Sequence, residues 1–285
     1  MNNKSKEVVI VAAVRTVIGT YKGSLKHIKA DQLGSIVIKE VLKRSKFNKN
    51  EIDEIIMGQV LTAGSGQNPA RQAAINAGIP ISKPAYIVNQ VCGSGLRAVI
   101  LGYQTIKLGD VKNVIAGGQE NMSLAPHSIV YRSEKKISED KLVDTMVNDG
   151  LIDAFNNYHM GVTAENVAKK FNISRQQQDE FALNSQKKTQ IAISNNKFKE
   201  ELIKINQSGN TLNQDEHPRV DLKLSDLEKL KTVFKENGTV TPGNSSGIND
   251  GAAGVIIMTR YEAEKRNLPI LAKIVSWASC GVSPS

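Results

Sequence analysis

Four short strand signals, each followed by a stretch of helical periodicity, constrain this chain more than any other feature. Residues 8–14 are continuously apolar, as expected of a strand covered on both faces. Residues 85–88 are a second apolar run, and 52–57 and 111–116 give two further short strands. Between 8–14 and 52–57, Leu33, Ile36, Val37 and Val41 make one helical stripe, with Asp31 placed to cap it. Asn68 is a good N-cap, Pro69 suits the first turn and Gly78 falls just past the end, which predicts a helix over 69–77. Strands alternating with helices predict an α/β fold, a mostly parallel sheet with helices on both faces. Reactive groups in such sheets gather at the carboxyl ends of the strands.

From about 121 to 249 the pattern changes. The chain turns polar and helical, with helix signals at 164–171, 175–195 and 224–231, broken by Pro218 and a Gly/Asn/Ser cluster at 238–247. This reads as an insertion between two strands of one sheet. A strand signal returns at 253–258, followed by a helix at 261–266 and an apolar run at 270–277. No internal repeat or low-complexity tract is present.

Composition excludes several classes. Length 285 allows one or two domains. Net charge is +9; residues 1–121 carry +8 of it, and 122–249 balance to zero. The excess lies on solvated helix positions such as Lys39, Lys43 and Lys49, and aromatics are only 5%, so stacking platforms for nucleic acid are missing. Attraction for a small polyanion is the milder reading. Two cysteines do not make a disulfide framework. The polar start and the lack of an 18-residue apolar run point away from secretion and the membrane, and toward a cytoplasmic protein. No Cys/His spacing suggests a metal site, and the stretches GSGQNPAR and AGGQEN lack the lysine of a phosphate loop. His27, His127, His217 and Cys280 have no supporting constellation.

Cys92 lies where the run 85–88 gives way to a helix marked by Leu96, Val99, Ile100 and Tyr103. Free N–H groups and the positive dipole end gather at such a point and favour thiolate over thiol. Gly93 and Gly95 allow a sharp turn and close approach of a ligand. Covalent acyl transfer fits that setting. A small buried hydrophobe, the common role of an unpaired cysteine, fits it too.

The stretch NQVCGSGLRAV around Cys92 resembles the nucleophile motif of the thiolases. AGGQENMSLAPH from Ala116, YHMGVTAENVA from Tyr158 and GTVTPGNSSGINDGAA from Gly238 match the same family in the same order. The resemblance implies a thiolase-like N-terminal βαβαβαβ domain, 1–121 with 247–269, interrupted by a helical loop domain, 122–246. Residues 270–285 would begin a truncated C-terminal domain. It implies that Cys92 takes an acyl group from a coenzyme A thioester, so that two acetyl-CoA give acetoacetyl-CoA and CoA, or the reverse. Coenzyme A thioesters are then substrates, with no separate cofactor or metal, no nucleic acid or membrane partner, and a homodimer or homotetramer as the assembly.

By the same resemblance Leu151, His159, Met160, Arg219, Phe234, Pro242 and Ser246 would contact coenzyme A. For His159 a backbone-bonded loop histidine is the plain alternative, for Ser246 ordinary turn chemistry, and for Arg219 a solvated surface charge. Core or loop packing is the alternative at Leu151, Phe234 and Pro242. The chain departs from the family at Val17, where proline is usual, at Pro242, where alanine is common, and at 132–140, which lacks the glycine and methionine of the family's tetramer loop. The family's Asn-Glu-Ala-Phe and Gly-His-Pro motifs and second catalytic cysteine do not occur in the 285 residues. A coenzyme A-binding fragment or subunit needing a complementing chain is therefore the alternative reading. A ketoacyl synthase is a further one, which the His159-Met160-Gly161 insertion argues against.

Overall fold

The computed structural model describes residues 6–132, 141–207 and 209–285. The departure at 132–140 therefore lies outside the described residues from 133 onward. One sheet organises the chain. Its main strands are β1 (Val8–Arg15), β2 (Glu54–Gly58), β3 (Ala85–Val88), β4 (Asn113–Asn121), β5 (Asn249–Thr259) and β6 (Ala272–Lys273). Their order across the sheet is β6-β1-β5-β4-β2-β3, and Gly19–Thr20 pairs with the start of β5.

The expectation of a mostly parallel sheet needs correcting in one respect. β4, β2 and β3 pair in parallel, but β5 is antiparallel to both its neighbours, β1 and β4, so the sheet is mixed. The reason is topological. The inserted segment leaves from the end of β4 and returns at that same end, where Asp250 faces Asn121. A strand entering there has to run back against β4. Only Ala272–Lys273 of the apolar run 270–277 forms a strand, and it is exposed along the edge of β1.

Helices α1 (Ala30–Ser45) and α2 (Pro69–Asn76) cover one face, and α3 (Ser94–Leu108) covers the other. Successive strand residues point to opposite faces, so β2 sends Ile55 and Met57 toward α1 and α2, and Ile56 toward α3. Leu33, Val37, Ile38 and Val41 of α1 are fully buried against Val9, Val11 and Ile256. Each such side chain contributes roughly 1.5–3 kcal/mol by leaving water. Asp31 does not cap α1. The helix starts at Ala30, and the Lys29 N–H donates to the Gln32 side chain. Asn68 caps α2 as expected, accepting from the Arg71 N–H at 3.2 Å.

The segment between β4 and β5 holds α4 (Thr145–Gly150), α5 (Met160–Lys170), α6 (Arg175–Ser194) and α7 (Leu224–Glu228); α8 (Arg260–Lys265) follows β5. Arg15, at the end of β1, anchors that segment with a bidentate pair to Asp215 at 2.8 and 2.9 Å and a contact to Glu201 at 2.6 Å. No described helix is long and apolar enough to cross a membrane.

Candidate active site

The turn between β3 and α3 is held by its own hydrogen bonds. The Ser94 hydroxyl accepts from the Gln90 N–H at 2.8 Å and donates to the Val91 carbonyl at 2.6 Å. The Gly93 and Ser94 amides donate to the Gln90 and Val91 carbonyls, each at 3.0 Å. Val91 has φ +47°, a left-handed conformation that a β-branched residue rarely adopts. Strain of this kind concentrates where a side chain must be presented in one direction. The residue presented is Cys92. It is exposed, which overturns the buried-hydrophobe reading. Among the described residues its amide and its sulfur have no hydrogen-bond partner. Gly93 is the residue that precedes the helix, so Cys92 sits one position before its cap.

Close packing places this turn over the strand ends. A methyl group on Gly58, the last residue of β2, would overlap the backbone of Ser94 and Gly95. Gly95 in turn sits against Gly118 of β4. The terminal segment also reaches the turn. The Gln90 amide donates to the Ser279 hydroxyl at 3.1 Å, and Arg97 lies over the Trp277 ring at 5.8 Å.

Glu120, two residues beyond Gly118, was not singled out from sequence. It accepts from the Val60 N–H at 2.8 Å and the Leu61 N–H at 3.3 Å. Burial pushes its carboxyl above the ordinary range against the pull of those amides, and Asp250 adds to the rise. The signal available in sequence was an acid at the carboxyl end of a central strand whose middle, Val114 to Ala116, is apolar.

A second cluster gathers four expected residues. Leu151 accepts from the Met160 N–H at 2.8 Å, and Ile152 pairs with His159 across a two-residue ladder. The His159 ring stacks on Phe234, with centroids 4.6 Å apart. His159 also caps α5: its Nδ1 accepts from the Gly161 N–H at 3.0 Å, which leaves Nε2 to carry the ring proton. The backbone-bonded histidine and the ligand-facing histidine are thus compatible readings. Met160 is exposed.

Pro242 and Ser246 lie on a turn tied to the same helix. Buried Glu165 of α5 accepts from the Thr239 and Val240 amides, both at 2.7 Å, and from the Thr239 hydroxyl at 2.9 Å. Both Pro242 and Ser246 are exposed, and the Ser246 hydroxyl donates to the Gly247 carbonyl at 3.1 Å. Arg219 stands apart. It is exposed, its backbone N–H donates to Gln186 of α6 at 2.9 Å, and its guanidinium has no partner among the described residues. Among the described residues no hydrogen bond joins Cys92 to the His159–Phe234 pair; the two groups are related through the carboxyl end of β4, over which the turn sits and from which the inserted segment departs.

Residues 8–261 match the family described as thiolase, N-terminal domain. An acetyl-CoA acetyltransferase of Pseudomonas aeruginosa is 50% identical over 286 residues, covering 98% of this chain and 73% of the relative. The cytosolic acetyl-CoA acetyltransferase of Rattus norvegicus is 49% identical over 291 residues, covering all of this chain and 73% of its own length. A probable acetyl-CoA acetyltransferase of Escherichia coli is 50% identical over 285 residues, with 98% and 72% covered.

Proposed function

Because the chain belongs to the thiolase family, we propose that it moves acetyl groups between coenzyme A thioesters through Cys92. The observation that carries this reading is an exposed thiol on a strained strand-to-helix turn, beside an amide with no acceptor. In the first step the Cys92 thiol gives up its proton and the thiolate attacks the carbonyl of acetyl-CoA. The tetrahedral oxyanion collapses and the C–S bond to the coenzyme breaks. The departing CoA thiolate takes up a proton equal to the one the Cys92 thiol lost, exchanged with solvent or a complementing chain. In the second step a base outside these residues, solvent or the complementing chain, takes an α-proton from a second acetyl-CoA, whose carbon attacks the acetyl-cysteine and breaks its C–S bond. Acetoacetyl-CoA forms and the Cys92 thiolate is released. Splitting the transfer in two lowers each barrier. The Cys92 N–H is suited to receive the negative charge that develops on the carbonyl oxygen.

Leu151, His159, Met160 and Phe234 would line the pantetheine path, with Pro242 and Ser246 opposite on the turn tied to α5. Arg219 would meet the phosphates, a task for which a planar guanidinium is suited. The coenzyme thioesters are substrates, and the reading needs no resident cofactor. The division into 1–121 with 247–269 around an inserted 122–246 is supported by β4 and β5 being neighbours in one sheet; 270–285 would begin the next domain, with Ala272–Lys273 laid along the edge of β1. A homodimer or homotetramer in the cytoplasm completes the reading, the location supported by the cytosolic rat relative.

The test is direct. Purified protein is incubated with acetyl-CoA and its intact mass measured, with Cys92→Ala as control. Expected is one acetyl adduct that Cys92→Ala lacks. An adduct that persists in Cys92→Ala removes Cys92 from its role. Binding of CoA without an adduct favours a coenzyme A-binding subunit that acts with a complementing chain.

A further inference from the structure

An unbroken run of hydrogen bonds leads from a part-buried carboxylate to the turn that carries Cys92. Glu120 Oε2 accepts from the Val60 N–H at 2.8 Å. The Val60 carbonyl accepts from Asn89 Nδ2 at 3.4 Å. Asn89 Oδ1 accepts from the Val91 N–H at 2.9 Å. Val91 is the residue at φ +47°, and Cys92 follows it. We propose that Glu120 is a positioning residue for Cys92, acting through Val60 and Asn89 to hold Val91 in its strained conformation.

The chemistry of the parts supports this. A carboxylate is costly to bury unless its oxygens are hydrogen-bonded. Glu120 accepts two successive amides, from Val60 and Leu61, at the point where the chain leaves β2. That exit has to be fixed, because Gly58 just before it packs against the backbone of Ser94 and Gly95. An amide side chain offers one accepting oxygen, and alanine offers none. Without the relay, Val91 relaxes toward negative φ, which is lower in energy, and the following residue swings away from the helix start. The proposal rests on Cys92 being the nucleophile, but its test reads the thiol itself and does not require acetyl transfer.

The experiment uses the whole chain in a Cys280→Ser background, since Cys280 is also exposed. The rate of Cys92 alkylation by iodoacetamide is followed by intact mass, and exchange of the Val91 amide by NMR. Glu120→Ala is expected to slow alkylation by about tenfold, the scale on which small displacements of a reacting group act, and to speed Val91 exchange. Glu120→Gln, which keeps an acceptor for Val60, is expected to recover most of the rate. Asn89→Ala should reproduce the loss, and the double variant should lose no more than either single one, as coupled positions do. A folded Glu120→Ala with wild-type alkylation and exchange overturns the proposal. So do losses at Glu120 and Asn89 that simply add. If Glu120→Ala does not fold, Asn89→Ala decides: a wild-type alkylation rate in that variant overturns it. Loss of acetylation with this coupling intact counts against acyl transfer and leaves the relay standing.

Discussion

The imidazole of His159 lies flat on the ring of Phe234, with centroids 4.6 Å apart and 20° between the planes. The two residues are far apart in sequence, one at the start of α5 and the other close before the turn that carries Pro242. Their contact locks the imidazole orientation, while the Gly161 amide fixes which ring nitrogen is the acceptor. A stacked pair of this kind is worth about 0.5–1.5 kcal/mol beyond the area it buries.

Gly161 makes that stack possible. A Cβ at this position would overlap the Phe234 ring. Gly161→Ala should therefore displace Phe234 and release His159. We expect a loss of about 1–3 kcal/mol, the usual cost of overpacking, together with weaker CoA binding by calorimetry. Phe234→Ala in the same background should then cost less than it does alone. Unchanged melting and CoA affinity in Gly161→Ala would contradict the packing described.

Val91 offers a trade between stability and reactivity. Its left-handed conformation costs on the order of 1–3 kcal/mol, and the residue is 45% exposed, so limited burial is lost on removing its side chain. Glycine adopts the same φ freely but loses about 0.5–1 kcal/mol of backbone entropy. Val91→Gly should leave the protein as stable or about 1 kcal/mol more stable. It should also slow the alkylation of Cys92, since a glycine holds the turn less firmly. A drop in melting temperature would show that Val91 is not strained.

Gly58→Ala tests the seat of the nucleophile turn. The new methyl group would meet main-chain atoms of Ser94 and Gly95, which cannot step aside as a flexible side chain can. The start of α3 must move, at a cost of about 1–3 kcal/mol. Gly150→Ala is the control, because its Cβ would sit 3.6 Å from Leu61 Cδ2, an ordinary contact. Only the first variant should alter both the melting temperature and the iodoacetamide rate at Cys92.

Local pattern carried most of the fold. The runs at 8–14 and 85–88, the capped helix at Asn68 and the strand-to-helix turn at Cys92 were legible because each is fixed by neighbours in sequence. The antiparallel entry of β5 was not, since it depends on where a segment of more than 120 residues leaves and rejoins the sheet. Asp31 misled as a cap because the Gln32 side chain serves the Lys29 N–H from inside the helix. At the site, Cys92 announced itself through its glycines. Glu120 did not, because its partners Val60 and Leu61 lie in the loop after β2, some 60 residues away in sequence, and offer only backbone amides.

Glu165 should make the segment around Pro242 and Ser246 sensitive to acid. Burial alone would raise its carboxyl, but the Val240 and Thr239 amides, the Thr239 hydroxyl and the charge of Lys235 outweigh it and hold it below the ordinary range. A carboxyl depressed in the folded state stabilises that state fully above its unfolded pKa of about 4.3. The contribution is lost as pH falls through the lower, folded value. Between neutrality and about pH 5 the tie should therefore be constant, and the Thr239 and Val240 amides protected from exchange. As pH falls below the unfolded value of about 4.3 and through the lower folded one, they should open together as the carboxylate takes up a proton. Glu165→Gln keeps an acceptor for the two amides and places an NH2 group where the Thr239 hydroxyl donates, so at pH 7 it should cost about 1.5–3 kcal/mol, the scale of a hydrogen bond to a charged group. Its denaturation midpoint should also fall less steeply between pH 5 and about pH 3 than that of the wild type. Parallel pH profiles for the two proteins would mean that another carboxylate governs the acid response, and that α5 is joined to the turn by packing rather than by charge.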